Sequence, residues 1–190
     1  MKSRVRSVLL YLAIAASLIS IPSNTLAENT ATETAANNLV DLKIMQGYGD
    51  GDLRLQNKIN RSEFVTLIVK MLGYDDDADL ETYKLSFKDV YNNNWAYVYI
   101  KAAVKNKLAY GTNDNKFNPT NNITYAEALT VMVRALGYES SLKGQWPQNV
   151  IEKASELGID NNIKLEPNTQ ITRGEMALII DNSISIETAY

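Results

Sequence analysis

Apolar residues recur along this chain at helical spacing in separate blocks, and the same short polar signal opens three of them. Ile123-Thr124-Tyr125-Ala126-Glu127-Ala128 opens the run that ends at Leu136-Gly137-Tyr138. Thr124 suits an N-cap, because its hydroxyl can accept from a backbone N–H of the first turn. Glu127, three residues on, can reach back to the cap's own N–H and close a capping box. Ile123 and Ala128 make a weak hydrophobic staple, and Gly137 supplies a left-handed stop. Ile59-Asn60-Arg61-Ser62-Glu63-Phe64 runs in the same way to Leu72-Gly73-Tyr74, and Ile171-Thr172-Arg173-Gly174-Glu175-Met176 runs into Ile180. One capping box is common. Three, each followed by an apolar helix, mark an internal repeat.

The periodicity predicts a short helix over 37–45 and a helix from Arg61 to Leu72 with Phe64, Leu67, Ile68, Met71 and Leu72 on one face. It predicts a third from Trp95 to about Lys107, capped by Asn94, and a fourth from Tyr125 to Leu136. A fifth starts at Trp146-Pro147 and stops at Gly158, with Pro tolerated in a first turn. The last ends near Ile184. Gly47-Tyr48-Gly49-Asp50-Gly51-Asp52 and the stretches 111–122 and 161–170 read as loops. Leu53 and Leu55 alternate and suggest a few extended residues. Adding 64 to positions 44–74 gives 108–138 without a gap and makes ten positions identical, among them Glu63/Glu127, Thr66/Thr130, Gly73/Gly137 and Tyr74/Tyr138. Adding 48 to the second box gives the third. Unequal periods of 64 and 48 do not suit a regular solenoid. Each unit has too little apolar surface to stand alone, so three units sharing one core are expected.

The first 27 residues read as a secretory signal: Lys2, Arg4 and Arg6, an apolar stretch from Val8 to Ile21, then small residues up to Ala27. The expected organisation is signal 1–27, leader 28–34, a first repeat 35–74 with a truncated start, linker 75–86, repeats 87–138 and 139–186, and a tail 187–190. The signal holds three of the 19 basic residues and none of the 22 acidic ones, so the remainder carries 16 against 22 and a net charge of −6. That balance argues against nucleic acid as a partner. The sequence has no cysteine and no histidine, which removes thiolate chemistry and the commonest general base and zinc ligand. An enzyme using only Asp and Glu is disfavoured, no cofactor is expected, and no catalytic residue is assigned. The box glutamates Glu63, Glu127 and Glu175 are accounted for as helix caps. Asp50-Gly51-Asp52 and Asn113-Asp114-Asn115 lack the ligand ladder of a calcium loop and read as turns.

Several motifs together resemble the S-layer homology (SLH) family: Phe87-x-Asp89-Val90 before Trp95-Ala96-Tyr97, the Gly47-to-Gly51 loop, Phe117-x-Pro119, and the box that the family writes as Ile-Thr-Arg-Ala-Glu. The resemblance spans about residues 35–186. It implies an all-α fold of three helix-loop-helix repeats in a pseudo-threefold, three-pronged domain. It implies a secreted module at the wall or S-layer surface of a bacterium that binds an acidic, pyruvylated cell-wall polysaccharide non-covalently, anchoring itself or a partner. S-layer or other envelope proteins are further partners, and no membrane span is expected once the signal is cleaved. In the family the box Arg helps to hold the acidic sugar. Three departures stand out: Tyr125 replaces that Arg in the second copy, Ala31 stands 64 positions before Trp95, and Gly174 replaces Ala in the third box. With no cargo segment after the third repeat in this sequence, the expected roles are an anchor for a non-covalent partner, a wall coat in its own right, or a competitor for wall sites.

The residue chemistry fits that implication. A helix N-terminus has unpaired N–H groups and a partial positive charge, which suit an anion. Arg61 and Arg173 stand there with a planar fork for a carboxylate. The carbohydrate-binding candidates are Arg61, Arg173, Asn60, Thr172, Thr124, Tyr125, Trp95 and Trp146. Core packing is the competing role for the two tryptophans; Tyr48, Tyr97, Tyr99 and Tyr110 are further surface candidates. Gly73 and Gly137, with the three glutamates, are structural. No metal site is assigned. The alternative function is a protein–protein interaction module of the envelope that binds no glycan.

Overall fold

The computed structural model of the chain describes residues 23–190. Six helices follow one another: α1 Ser23–Asp41, α2 Arg61–Leu72, α3 Tyr97–Lys105, α4 Tyr125–Ala135, α5 Gln148–Leu157 and α6 Arg173–Ile184. Among the described residues there is no strand, and no helix is long and apolar enough to cross a membrane. The fold is all-α. The signal assigned to 1–27 lies outside the described residues, except for 23–27, which open α1.

All three capping boxes form in both directions, at Asn60/Glu63, Thr124/Glu127 and Thr172/Glu175. The boxes do more than start helices. The Ile59 N–H donates to the Ile171 carbonyl, the Ile171 N–H to that of Ile123, and the Ile123 N–H to that of Ile59, each at 3.1 Å. Three isolated bridges flank this triangle, at Lys58–Thr172, Asn60–Asn122 and Thr124–Gln170. The residue before each cap is thus a node of a closed ring, and all three isoleucines are fully buried. The helices pair across the repeat boundaries. α3 packs on α2, α5 on α4, and α1, the first helix, packs on α6, the last. One continuous apolar core runs through all of them, as three mutually dependent units require.

Two expected elements differ. The first helix is much longer than 37–45, and the expected leader 28–34 is helical too. Its Ala and Glu residues have good helical propensity, and Ala35, Ala36 and Leu39 bury against the core. The helix stops before Ile44 because Lys43 adopts φ 61° and the Ile44 and Met45 N–H groups turn back to the Leu39 carbonyl. The third helix starts two residues late: Asn94 accepts from the Ala96 N–H at 2.8 Å, forming a turn ahead of the helix rather than its cap. The fifth likewise begins at Gln148, with Pro147 as its N-cap. Gly73 and Gly137 take left-handed φ of 67° and 84°, as their stop role demands. The Phe87-x-Asp89-Val90 motif pins the loop that follows α3. The Asp89 carboxylate accepts the Phe117 and Asn118 N–H groups, both at 2.8 Å, and Phe87 packs on Phe117 with centroids 5.7 Å apart.

Candidate functional site

The helix mouths do not offer free amides, which corrects the expectation from the sequence. The first two N–H groups of each of these helices already have partners in the loop of another repeat. Arg61 and Ser62 donate to Asn121 and Pro119, Tyr125 and Ala126 to Thr169 and Pro167, Arg173 and Gly174 to Asn57 and Leu55, at 2.8–3.0 Å. The third amide of each helix goes to its cap side chain. Docking the loops on the helix ends satisfies donors that would otherwise be buried without partners. Any anion must therefore be held by side chains.

The first helical residue of each box extends outward and clamps the loop of the next repeat. Arg173 donates through Nε to the Leu53 carbonyl (2.8 Å) and through Nη2 to that of Gln46 (3.2 Å), lies 4.9 Å from the Tyr48 ring centre, and is only 5% exposed. Arg61 repeats the arrangement: Nε to Phe117 (3.0 Å), Nη2 to Tyr110 (3.1 Å), guanidinium 4.8 Å from the Phe117 ring. Burial pulls the Arg61 pKa below its ordinary value. Tyr125 fills the third place. Its hydroxyl donates to the Ile163 carbonyl at 3.2 Å, with Asp160 at 3.5 Å, and burial pushes its pKa up. At 1% exposure Tyr125 cannot reach a ligand, which corrects its place among the sugar contacts: it is a staple where the other copies have an Arg.

Among the described residues, two grooves are related to each other by the repeat. Groove one, about 330 Å³, is lined by Arg173, Tyr48, Glu63, Thr66, Lys70 and Trp95, with Asn60 on its wall. Groove two, about 220 Å³, is lined by Arg61, Tyr110, Glu127, Thr130, Arg134 and Trp146. Glu63/Glu127, Thr66/Thr130 and Lys70/Arg134 differ by 64, and Trp95/Trp146 by 51. Both tryptophans stand at the groove edges, 62% and 53% exposed, so the competing core role does not hold. An exposed indole beside a held guanidinium can stack on an apolar ring face while the guanidinium takes an anion. Thr124 and Thr172 serve their caps and line neither groove.

The charges are local and specific. In groove one, Tyr48 donates to Glu63 Oε1 at 2.6 Å while Glu63 Oε2 accepts the Asn60 N–H, and Arg173 Nη1 lies 3.6 Å from the same carboxylate. Burial, then the bond to Glu63, raises the Tyr48 pKa. Glu63 is thus held as a structural acceptor, and Lys70 adds a cation with no ion pair among the described residues. In groove two, Arg134 gives Nη1 to the Leu108 carbonyl and Nε and Nη2 to Glu139, and stacks 4.8 Å from the Tyr110 ring centre. Among the described residues Arg61 Nη1 makes no hydrogen bond and is available to a ligand.

At the third place the counterpart of Lys70 and Arg134 is Asn182, whose amide donates to the Ile159 and Asn161 carbonyls. The counterpart of the tryptophans is Ala31, on α1. Lys70, Arg134 and Thr130 are groove residues that are not among the binding candidates read from the sequence. A signal for two of them exists: Lys70 and Arg134 are both cationic under the 64-residue shift, a match of charge rather than of identity.

The family model of the S-layer homology domain matches three segments, 27–65, 86–129 and 142–177. The chain is 37% identical over 98% of its length to the Middle cell wall protein of Brevibacillus brevis, and 36% identical over 98% to the Surface layer protein of Brevibacillus choshinensis. It spans 18% and 17% of those relatives' lengths. It is 29% identical over 74% of its length to the Cellulosome-anchoring protein of Acetivibrio thermocellus, of which it covers 35%. Three matched segments, in the order of the three repeats and together spanning more than half of the sequence, place the chain in the S-layer homology domain family.

Proposed function

We propose that this chain is a non-enzymatic module at the cell-wall surface of a bacterium that attaches itself, or a partner, to the wall by binding an acidic secondary polysaccharide. Relatives whose names are those of cell-wall, surface-layer and anchoring proteins support attachment to the wall. The observation that carries the finer reading is the recurrence, at two related places, of a fixed guanidinium, a second cation and an exposed indole. A pyranose ring presents C–H groups that pack on an indole face, and a ketal-linked pyruvate presents a carboxylate that guanidinium and ammonium donors can accommodate. An overall acidic protein can bind such an anion because the cations are concentrated in the grooves. No reaction is assigned, since Glu63, Glu127 and Glu175 are each engaged with a helix cap.

Sedimentation with purified wall sacculi, before and after chemical removal of the polysaccharide, tests the proposal. Binding should disappear with the polysaccharide and weaken with removal of the pyruvate ketal alone. Trp95→Ala and Trp146→Ala should each weaken it at unchanged helicity, because both rings are exposed. Binding that survives stripping would overturn the reading and favour a protein or peptidoglycan target.

A further inference from the structure

The two grooves hold their tryptophans differently. The Thr130 hydroxyl donates to the Ala126 carbonyl at 2.6 Å and accepts from Trp146 Nε1–H at 3.0 Å. Donation one turn back fixes the hydroxyl rotor, which leaves its lone pairs for the indole. The indole has a single N–H, so this bond sets the placement of the ring as well as satisfying its donor. Thr66, 64 residues earlier, makes the same backward donation to Ser62 at 2.7 Å. Yet among the described residues it accepts nothing from Trp95. The other walls follow suit. Arg134 in groove two is held by three bonded nitrogens and a ring. Its counterpart Lys70 is a flexible ammonium 5.6 Å from the Tyr99 ring centre.

We propose that Thr130 is a positioning residue that fixes the Trp146 indole as a ready-made sugar platform, so that groove two is the preorganised site and groove one the adaptable one. This rests on the reading of the grooves as glycan sites. A ligand that stacks on a ring already ordered avoids the entropic cost of ordering it. For one side chain that makes a complex tighter by about three- to tenfold.

Two measurements test this. In a Trp95→Phe protein, Trp146 is the only tryptophan, and acrylamide quenching and fluorescence anisotropy report its mobility without any ligand. Thr130→Val keeps the side-chain shape and removes the acceptor; Thr130→Ser keeps the hydroxyl. Valine should raise quenching and lower anisotropy, and serine should restore both. In a Trp95→Ala protein, where groove two dominates, valine should weaken binding of purified wall polysaccharide by about three- to tenfold, again restored by serine. Unchanged quenching in the valine variant would overturn the proposal. So would a looser indole with unchanged affinity, which would make the bond irrelevant to the site. If the unaltered protein fails to bind the polysaccharide while valine still loosens the indole, the glycan reading is what has failed, and the role of Thr130 at a sugar site falls with it.

Discussion

Arg173→Ala should destabilise the fold far more than a surface arginine would. The side chain is 5% exposed and ties the third box to the first loop through the Leu53 and Gln46 carbonyls. A hydrogen bond to a charged group contributes ~1.5–3 kcal/mol, and stacking on Tyr48 adds ~0.5–2 kcal/mol. The desolvation cost of burying a guanidinium offsets part of this, but truncation leaves Glu63 beside the space without its cationic neighbour, so we expect a loss of ~3–5 kcal/mol. Arg61→Ala breaks the same two bonds at a more accessible place, where water can replace them, and should cost ~2 kcal/mol. Arg173→Lys keeps the charge but cannot span both carbonyls and should fall between. Urea unfolding followed by far-UV circular dichroism gives the three values, compared at constant m. A loss below ~1 kcal/mol for Arg173→Ala, or a larger loss for Arg61→Ala, would refute the clamp. The result also governs binding assays. A double arginine variant would lose stability along with any binding, so the exposed tryptophans are the cleaner probes.

Tyr125→Phe removes the bond to the Ile163 carbonyl and the contact with Asp160 and should cost ~1 kcal/mol in thermal unfolding, with wall binding unchanged. Gly73→Ala and Gly137→Ala both force alanine into left-handed φ. A Cβ at Gly73 meets nothing within 4 Å, while one at Gly137 falls 2.5 Å from the Tyr190 ring. The losses should be ~1 and ~2 kcal/mol, the second accompanied by release of the Tyr190 hydroxyl from the Ala135 carbonyl. The Lys116 ammonium, then the Thr112 hydroxyl, bond Asp114 and lower its pKa from the ordinary 3.8 to about 2. Its folded form binds the proton less well than its unfolded form, so its stabilisation is present above the ordinary value and is lost as pH falls through the folded one. Lys116→Ala should therefore flatten the acid limb of the stability curve in that window, measured as urea midpoint against pH.

Much of the fold was legible because its signals are local. A capping box is written in four consecutive residues, and all three were readable, as were their glycine stops. What was not legible depends on ring closure. The pairing of α1 with α6 joins segments far apart along the chain, and no periodicity announces it. Gly174, a departure from the family's Ala, makes sense only there: a Cβ would come 3.1 Å from Thr32 on α1 and 3.2 Å from the Leu55 carbonyl. The site was legible in composition and not in geometry. Arg61, Arg173, Trp95 and Trp146 line grooves, but the free helix amides read from the sequence are occupied by loop carbonyls of other repeats, distant along the chain. Tyr125 looked like a surface aromatic because a residue beside a cap usually faces water; tertiary docking of the 158–163 loop buried it.

The ring explains why the three joints differ. Each joint needs the first residue of a box to grip the following loop, and an arginine does so through Nε and Nη2. At the third joint α1 packs on α6: Ala31 stands where the other joints place a tryptophan, and Thr32 lies against Gly174. A guanidinium there would face an alanine rather than an exposed indole. A tyrosine grips the loop instead, against an Asp160 that also accepts from Ser155 and Lys164. Closing the ring with the chain's first helix and keeping a third open groove are thus competing uses of one surface. Two arginine-and-tryptophan grooves, and a third joint clamped by Tyr125 beside Ala31, follow from that competition.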